Sequence, residues 1–226
     1  MMGSARSAIE MREHMVAQHL ERRDIRDPRV LQAFLRVPRE EFIASENRHH
    51  AYDDGPLAIG YEQTISQPYV VAITVQALDL IGHERVLEIG AGSGYAAAIL
   101  GELASEVHTI ERIEPLAAAA AATLVRLGYT NVHVHRGDGT LGWPPAAPYE
   151  AIAVSAGAPR PPPSLLNQLT IGGRIVLPTG DALSQRLVRI VRESETRFVE
   201  TNLGAVRFVP LVGAEGWSSS DQGQQR

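Results

Sequence analysis

Between residues 85 and 177 the chain alternates short apolar runs with longer stretches whose apolar positions recur at helical spacing. Strands are predicted at Arg85–Ile89, Glu106–Ile110, Val132–His135, Ala151–Ser155 and Arg174–Leu177, with helices near 95–104, 114–127 and 162–170 between them. This alternation predicts an α/β fold with a doubly wound, mostly parallel sheet. Farther on the pattern changes: Arg186–Arg192 and Phe198–Val209 read as strands with no helix between them, which predicts an antiparallel C-terminal edge. Ahead of the sheet, Met11 to Phe42 is helical, with apolar residues at Met15, Val16 and Leu20, a break at Asp27-Pro28, and a second run through Val30, Leu31, Phe34 and Leu35. A polar, glycine-bearing stretch from His49 to Gln67 precedes a helix over Val70–Leu80, with Pro68 in its first turn. Pro161-Pro162-Pro163 reads as a rigid loop opening a helix. Residues 1–10 and 218–226 are small or polar and are expected to be flexible tails. The expectation is one domain over 11–217, divided into a helical cap and substrate-side segment (11–80), a cofactor-binding core (81–180) and C-terminal strands (181–217).

Composition narrows the function classes. At 226 residues and 44% hydrophobic, the chain can bury one sizeable core. The formal net charge of −5 comes without a basic block, which argues against a nucleic-acid partner. With no cysteine there is no disulfide, thiolate nucleophile or cysteine metal site. No segment approaches the ~20 apolar residues of a membrane span, and no apolar leader opens the chain, so a cytoplasmic protein without a membrane partner is expected. His133 and His135 share a strand face but have no third ligand to join them, and neither they nor His49-His50 are expected to hold a metal.

The candidate chemistry starts at Val86-Leu87-Glu88-Ile89-Gly90-Ala91-Gly92-Ser93-Gly94-Tyr95, an apolar strand running into three closely spaced glycines. Glycines allow a sharp turn and bring backbone against a ligand, here expected to meet it with N–H groups, and the Ala96–Leu100 run can start a helix facing the same ligand. The spacing is G-x-G-x-G rather than the dinucleotide G-x-G-x-x-G, and Glu88 stands two positions before the first glycine, a combination that leans toward S-adenosylmethionine and keeps NAD as an alternative. Ligands of open α/β sheets lie beyond the carboxyl ends of the strands. Glu88, Glu111 and Asp138 all fall there, flanked by Arg112 and Gly139. Glu111 is expected to accept the ribose hydroxyls and Asp138 to lie near the adenine amino group. Glu88 is expected to orient the glycine loop or to balance the cofactor's cationic groups. Each acid taken alone is equally readable as a solvated loop residue.

Several segments together resemble the protein-L-isoaspartate O-methyltransferases of bacteria and archaea. They are Gln63-Thr64-Ile65-Ser66-Gln67-Pro68, Val86 to Tyr95, Gly137-Asp138-Gly139 with Gly142-Trp143, and Val206-Arg207-Phe208-Val209-Pro210-Leu211, joined by Arg26-Asp27-Pro28-Arg29-Val30 and Arg36-Val37-Pro38-Arg39 in the cap. The resemblance runs from about Met11 to Gly213. It implies methyl transfer from S-adenosyl-L-methionine to the free α-carboxylate of isoaspartyl residues in damaged proteins and peptides. S-adenosyl-L-homocysteine is released, and the ester closes to a succinimide that hydrolyses partly to aspartate. It also implies that Ser66 is the active-site serine.

The residues suit that chemistry. A carboxylate with a pKa near ~4 is ionised at neutral pH and needs no general base. Positioning should dominate, and a neutral hydroxyl such as Ser66 or Thr64 can orient the acceptor without quenching it. Ser66 is also placed to cap the helix that follows. Tyr52, Asp53 and Asp54 are either part of a substrate groove or a solvated loop. The segment from Val206 to Leu211 is read as an edge strand with a substrate-facing rim, with strand addition to a peptide as the other possibility. Two places depart from the family pattern: Tyr61-Glu62 ahead of the Gln-Thr-Ile-Ser core, expected to narrow the mouth of the site, and the Ser155–Pro159 loop. The Asp/Asn-Pro-Pro-aromatic signature of nucleobase methylation is absent. The rivals to a monomeric repair enzyme are a methyltransferase for another carboxylate and a non-catalytic cofactor- or peptide-binding protein.

Overall fold

The computed structural model describes residues 7–181 and 183–218. Seven strands form one sheet in the order β5-β4-β3-β6-β7-β8-β9. They are β3 (Arg85–Ile89), β4 (Glu106–Glu111), β5 (Val132–Arg136), β6 (Tyr149–Val154), β7 (Leu169–Gly180), β8 (Gln185–Arg192) and β9 (Phe198–Val206). The first five run parallel, while β8 and β9 are antiparallel additions at one edge, as the loss of an intervening helix predicts. The chain order reverses beside β3, so β3 and β6 part their following loops and open a crevice at their carboxyl ends.

Strand alternation assigns the two faces. Val86, Val107, Ala151, Ala153 and Val176 face a core shared with α3 (Pro68–Ala77), α4 (Tyr95–Gly101) and the N-terminal cap. Leu87, Ile89, Ile110, Ile152 and Leu177 face a second core closed by α6 (Pro163–Asn167) and Tyr149. Helix α5 (Glu114–Arg126) is largely alanine and buries only Leu116, Ala117, Ala120 and Leu124.

The cap consists of α1 (Ala8–Met15), which continues as a π-helical and a 3-10 segment to Arg23, and α2 (Pro28–Arg36). Asp27 starts α2 by accepting the Arg29 amide, with Pro28 in the first turn, so the break at Asp27-Pro28 is a capped restart. The expected tail over 1–10 is corrected at its inner end: Ser7 and Glu10 form a reciprocal capping box that starts α1. Its first six residues, and 219–226 of the other expected tail, lie outside the described residues.

The stretch after His49 contains a hairpin that periodicity did not reveal, β1 (Leu57–Gly60) and β2 (Gln63–Ile65). Its turn places Tyr61 at φ 53° and Glu62 at φ 58°, both left-handed and both unusual for residues with side chains. The last strand is shorter than expected: β9 stops at Val206, and residues 207–212 leave the sheet edge and cross to the carboxyl end of β6, where Pro210 bridges Gly157.

Candidate active site

Glycine conformation shapes the loop after β3. Gly90 takes φ 89° and Gly92 φ 53°, turning the chain from strand to α4 in five residues, and Gly94 at φ 89° packs where a Cβ would lie 3.3 Å from the Ala120 Cβ. Four N–H groups of this loop are spent internally. Those of Gly90 and Ala91 donate to the Ile110 carbonyl at 2.8 and 3.2 Å, Gly94 donates to Ala91 at 2.8 Å, and Gly92 donates to Glu111 Oε2 at 2.9 Å. The expectation that the loop meets its ligand with free amides is therefore corrected. At these four positions it offers bare backbone for close approach rather than a row of donors, which suits a phosphate-free ligand.

Glu111 ends β4, 6% exposed, and also accepts the Ile113 amide through Oε1 at 2.9 Å. Each oxygen thus holds one backbone donor and keeps a lone pair, the geometry needed to receive two vicinal hydroxyls. Gly90, Ala91, Gly92, Ser93, Glu111, Arg112 and Gly139 line one cleft with Thr64 and Ser66 from the hairpin segment. Tyr95, Ser155 and Val209–Val212 add to its walls. A Cβ on Gly139 would stand 2.5 Å from Ile89 Cγ2, so only glycine keeps this wall in place.

Three expected site residues do not line this cleft. Gly94 packs against α5. Glu88 faces the opposite side of β3 from Ile89, is fully buried, and accepts the Thr109 hydroxyl through Oε2, while Oε1 has no partner. Burial, together with the nearby charge of Glu111, pushes its pKa up to about 8, against the smaller opposing effect of the Thr109 hydrogen bond. Asp138 accepts the amide and hydroxyl of Thr140 at 2.9 and 2.7 Å and the Ala214 amide at 2.8 Å, so its carboxylate braces the C-terminal segment.

Ser66 stands between β2 and α3. Helix α3 is capped at Gln67 without any side-chain hydrogen bond, which overturns the capping role considered for Ser66 and leaves its hydroxyl without a protein partner. On its far side lies a groove of about 910 Å³, running past Tyr69, Val70 and residues 203–210. Thr64, Ser66, Ser155, Val209 and Pro210 line both groove and cleft. Ser155 was not singled out by sequence as a site residue. Its only signal was position, at the carboxyl end of the strand beside the glycine loop. Gln185 was missed too: its amide brackets Phe208, accepting the amide at 2.7 Å and donating to the carbonyl at 3.2 Å, which holds residues 207–210 at the groove. Tyr61 sits at the hairpin tip, 58% exposed and outside the cleft lining. In the Ser155–Pro159 loop, Gly157 donates to Val209 at 2.7 Å and accepts from Leu211 at 2.8 Å and from Trp217 Nε1 at 2.9 Å.

His108 joins His133 and His135 on one sheet face, a neighbour the sequence did not reveal. His108 Nδ1 and His135 Nε2 lie 2.9 Å apart, bonded to each other, and Trp143 stacks on His135 at 4.0 Å. Among the described residues no three His, Cys, Asp or Glu side chains are grouped to hold a metal ion, and no helix is long and apolar enough to cross a membrane.

Comparison with known proteins agrees with this geometry. The chain is 58% identical over 216 residues to protein-L-isoaspartate O-methyltransferase 1 of Rhodopseudomonas palustris strain HaA2, covering 95% of this chain and 88% of that one. It is 53% identical to protein-L-isoaspartate O-methyltransferase 2 of Pelobacter propionicus, covering 95% and 96%. A solved protein-L-isoaspartate O-methyltransferase superposes with a TM-score of 0.82 at 30% identity over 91% of this chain and 67% of that one. A Plasmodium falciparum protein solved with S-adenosyl-L-homocysteine shares the fold at TM-score 0.78 and 22% identity, covering 92% and 99%. The family model for protein-L-isoaspartate (D-aspartate) O-methyltransferase matches residues 10–216, and the chain belongs to that family.

Proposed function

We propose that Ser66, at the junction of cleft and groove, orients the acceptor carboxylate of an isoaspartyl residue for methyl transfer. The chain is an S-adenosyl-L-methionine-dependent methyltransferase of isoaspartyl residues, initiating repair of damaged protein. The assignment of individual residues rests on one observation: a hydroxyl with no protein partner lies where the two cavities meet.

Bound in the cleft, S-adenosyl-L-methionine supplies a methyl group on a sulfonium, an electrophile that an ionised carboxylate attacks directly. Glu111 takes the ribose hydroxyls through its remaining lone pairs. Gly90, Ala91, Gly92 and Ser93 would let the cofactor lie against backbone, and Arg112 and Gly139 would border its nucleoside end. Ser66 donates one hydrogen bond to the acceptor carboxylate, with Thr64 beside it. One neutral donor holds the oxygen in line while leaving it nucleophilic, and no proton has to move. The groove runs along a backbone segment pinned by Gln185, which suits an extended, flexible peptide whose extra methylene lets the carboxylate reach past Ser66. The enzyme is read as a cytoplasmic monomer acting on protein rather than nucleic acid, since one chain builds the whole cleft and groove and the net charge is −5 without a basic block.

Methyl transfer from labelled S-adenosyl-L-methionine to a short isoaspartyl peptide, beside its aspartyl twin, tests the assignment through two variants. Ser66→Ala should lower turnover on the order of tenfold or more, as loss of one oriented donor does, with S-adenosyl-L-homocysteine affinity retained. Glu111→Ala should weaken S-adenosyl-L-homocysteine binding instead. Unchanged turnover in the first, or unchanged affinity in the second, removes that residue from its role.

A further inference from the structure

Among the described residues Arg39 heads the large side chains that are fully buried. It lies in the 3-10 turn Arg39–Phe42 of the cap, far in sequence from both the glycine loop and the hairpin. A buried guanidinium normally faces a carboxylate, because an uncompensated charge in a low-dielectric interior is among the most costly arrangements available. This one faces carbonyls. Its Nε donates to the Ala51 carbonyl at 2.7 Å and one terminal nitrogen donates to the Ser66 carbonyl at 2.8 Å, while the other terminal nitrogen has no hydrogen-bond partner. The acid next to it in sequence is committed elsewhere: Glu40 pairs with Arg12 at 3.2 Å and accepts the Tyr52 hydroxyl. The guanidinium carbon stands 4.8 Å from the centre of the Tyr95 ring, and Tyr95 is the first residue of α4, directly after the glycine loop.

Arg39 therefore touches both halves of the site, through the Ser66 carbonyl and through Tyr95, which itself lines the cleft. One nitrogen fixes the peptide unit carrying Ser66, and the guanidinium carbon stands over the ring of the residue that follows the glycine loop. A rigid fork of donors fixes direction as well as distance, which a lysine or an amide does less well. We propose that Arg39 is a positioning residue for methyl transfer: by clamping the Ser66 carbonyl against Tyr95 it sets the direction of the Ser66 hydroxyl relative to the cofactor cleft. The proposal rests on the role given to Ser66 above.

Arg39→Lys and Arg39→Gln, made alone and in a Ser66→Ala background, test it. The measurements are kcat and KM for an isoaspartyl peptide, S-adenosyl-L-homocysteine affinity by calorimetry, and the thermal transition. The expected result is a folded Arg39→Gln enzyme with unchanged S-adenosyl-L-homocysteine affinity and kcat lowered on the order of tenfold, no further than Ser66→Ala lowers it, since the residue acts only through that hydroxyl. Arg39→Lys should recover part of that loss. In the Ser66→Ala background Arg39→Gln should lower kcat little further, since the group it aims is gone. Unchanged kcat in folded Arg39→Gln, beside a damaged Ser66→Ala, overturns the Arg39 proposal and leaves Ser66 standing. Full additivity of the two changes also overturns it. So does S-adenosyl-L-homocysteine affinity falling in step with kcat, or the failure of both variants to fold, because each reduces Arg39 to a core residue. Unchanged kcat in Ser66→Ala alone removes the reading of Ser66, and with it the route assigned to Arg39.

Discussion

Replacing Glu88 with glutamine should leave the enzyme nearly as stable as before in mild acid and make it clearly more stable in alkali. The carboxyl is fully buried between β3 and β4, takes a single hydrogen bond from Thr109, and has one oxygen without a partner. Burial pushes its pKa up to about 8 from an ordinary 4.5. A group whose folded pKa lies above its unfolded one contributes its stability below the unfolded value and loses it as pH climbs to the folded one. The window is therefore 4.5 to about 8. At ~1.4 kcal/mol per pH unit the whole loss is about 5 kcal/mol, of which about 3 kcal/mol falls between about pH 5.5 and about pH 9. Glutamine matches the neutral acid in shape and cannot ionise. In a chain of this length ~3 kcal/mol corresponds to roughly 6–12 °C in Tm. Thermal unfolding of both proteins without cofactor, followed by circular dichroism at the two pH values, reads the difference. Transitions that differ by the same amount at both pH values would refute the neutral buried acid. Because Glu88 does not line the cleft, S-adenosyl-L-homocysteine affinity should be unchanged in the variant.

Two further tests concern other parts of the fold. Burial first, and then His108 and His133, lower the pKa of His135 to about 4, so the ring stacked on Trp143 is neutral at pH 7. In a Trp217→Phe chain, which retains one tryptophan, the acid titration of Trp143 fluorescence should have its midpoint near 4, with stability falling as pH drops from 6.5 toward 4; a midpoint at 6.5 would refute it. Gly139→Ala should force Ile89 aside, costing roughly 1–3 kcal/mol and weakening S-adenosyl-L-homocysteine binding by about tenfold (~1.4 kcal/mol); unchanged affinity by calorimetry would show that the wall yields.

The central parallel strands were legible because burial on both faces writes β3 and β6 as mostly apolar runs, and the glycines and proline punctuated the helices around them. The cofactor side was legible for the same reason: Gly90, Glu111 and Gly139 sit at strand ends, and strand ends can be counted. The hairpin was hidden. Its turn is Tyr61-Glu62, two residues that take a left-handed conformation without the Asn-Gly signature that announces one. Gly172 and Gly173 concealed the first half of β7, and Ser7 with Glu10 carried a helix-start signal inside a stretch whose small residues suggested a tail. What no local pattern carries is the partner of a polar side chain across the fold. Asp138 binds the Ala214 amide, 76 residues away, and Arg39 binds the Ser66 carbonyl, 27 residues away. Neither partner is visible until the chain is folded.

The segment over 207–217 crosses from the sheet edge to complete the cleft, held by Gln185, Gly157 and Asp138. Every strand of the sheet precedes it in the chain. During synthesis, a growing polypeptide can pair β3 through β9 and bury both cores before this wall exists. A nascent chain is thus a folded scaffold with an open crevice, and competence to hold the cofactor arrives only when the ribosome has released residues beyond the sheet. Quality control that senses exposed core would pass such an intermediate, whereas ligand-dependent stabilisation would be confined to chains that carry the finished wall.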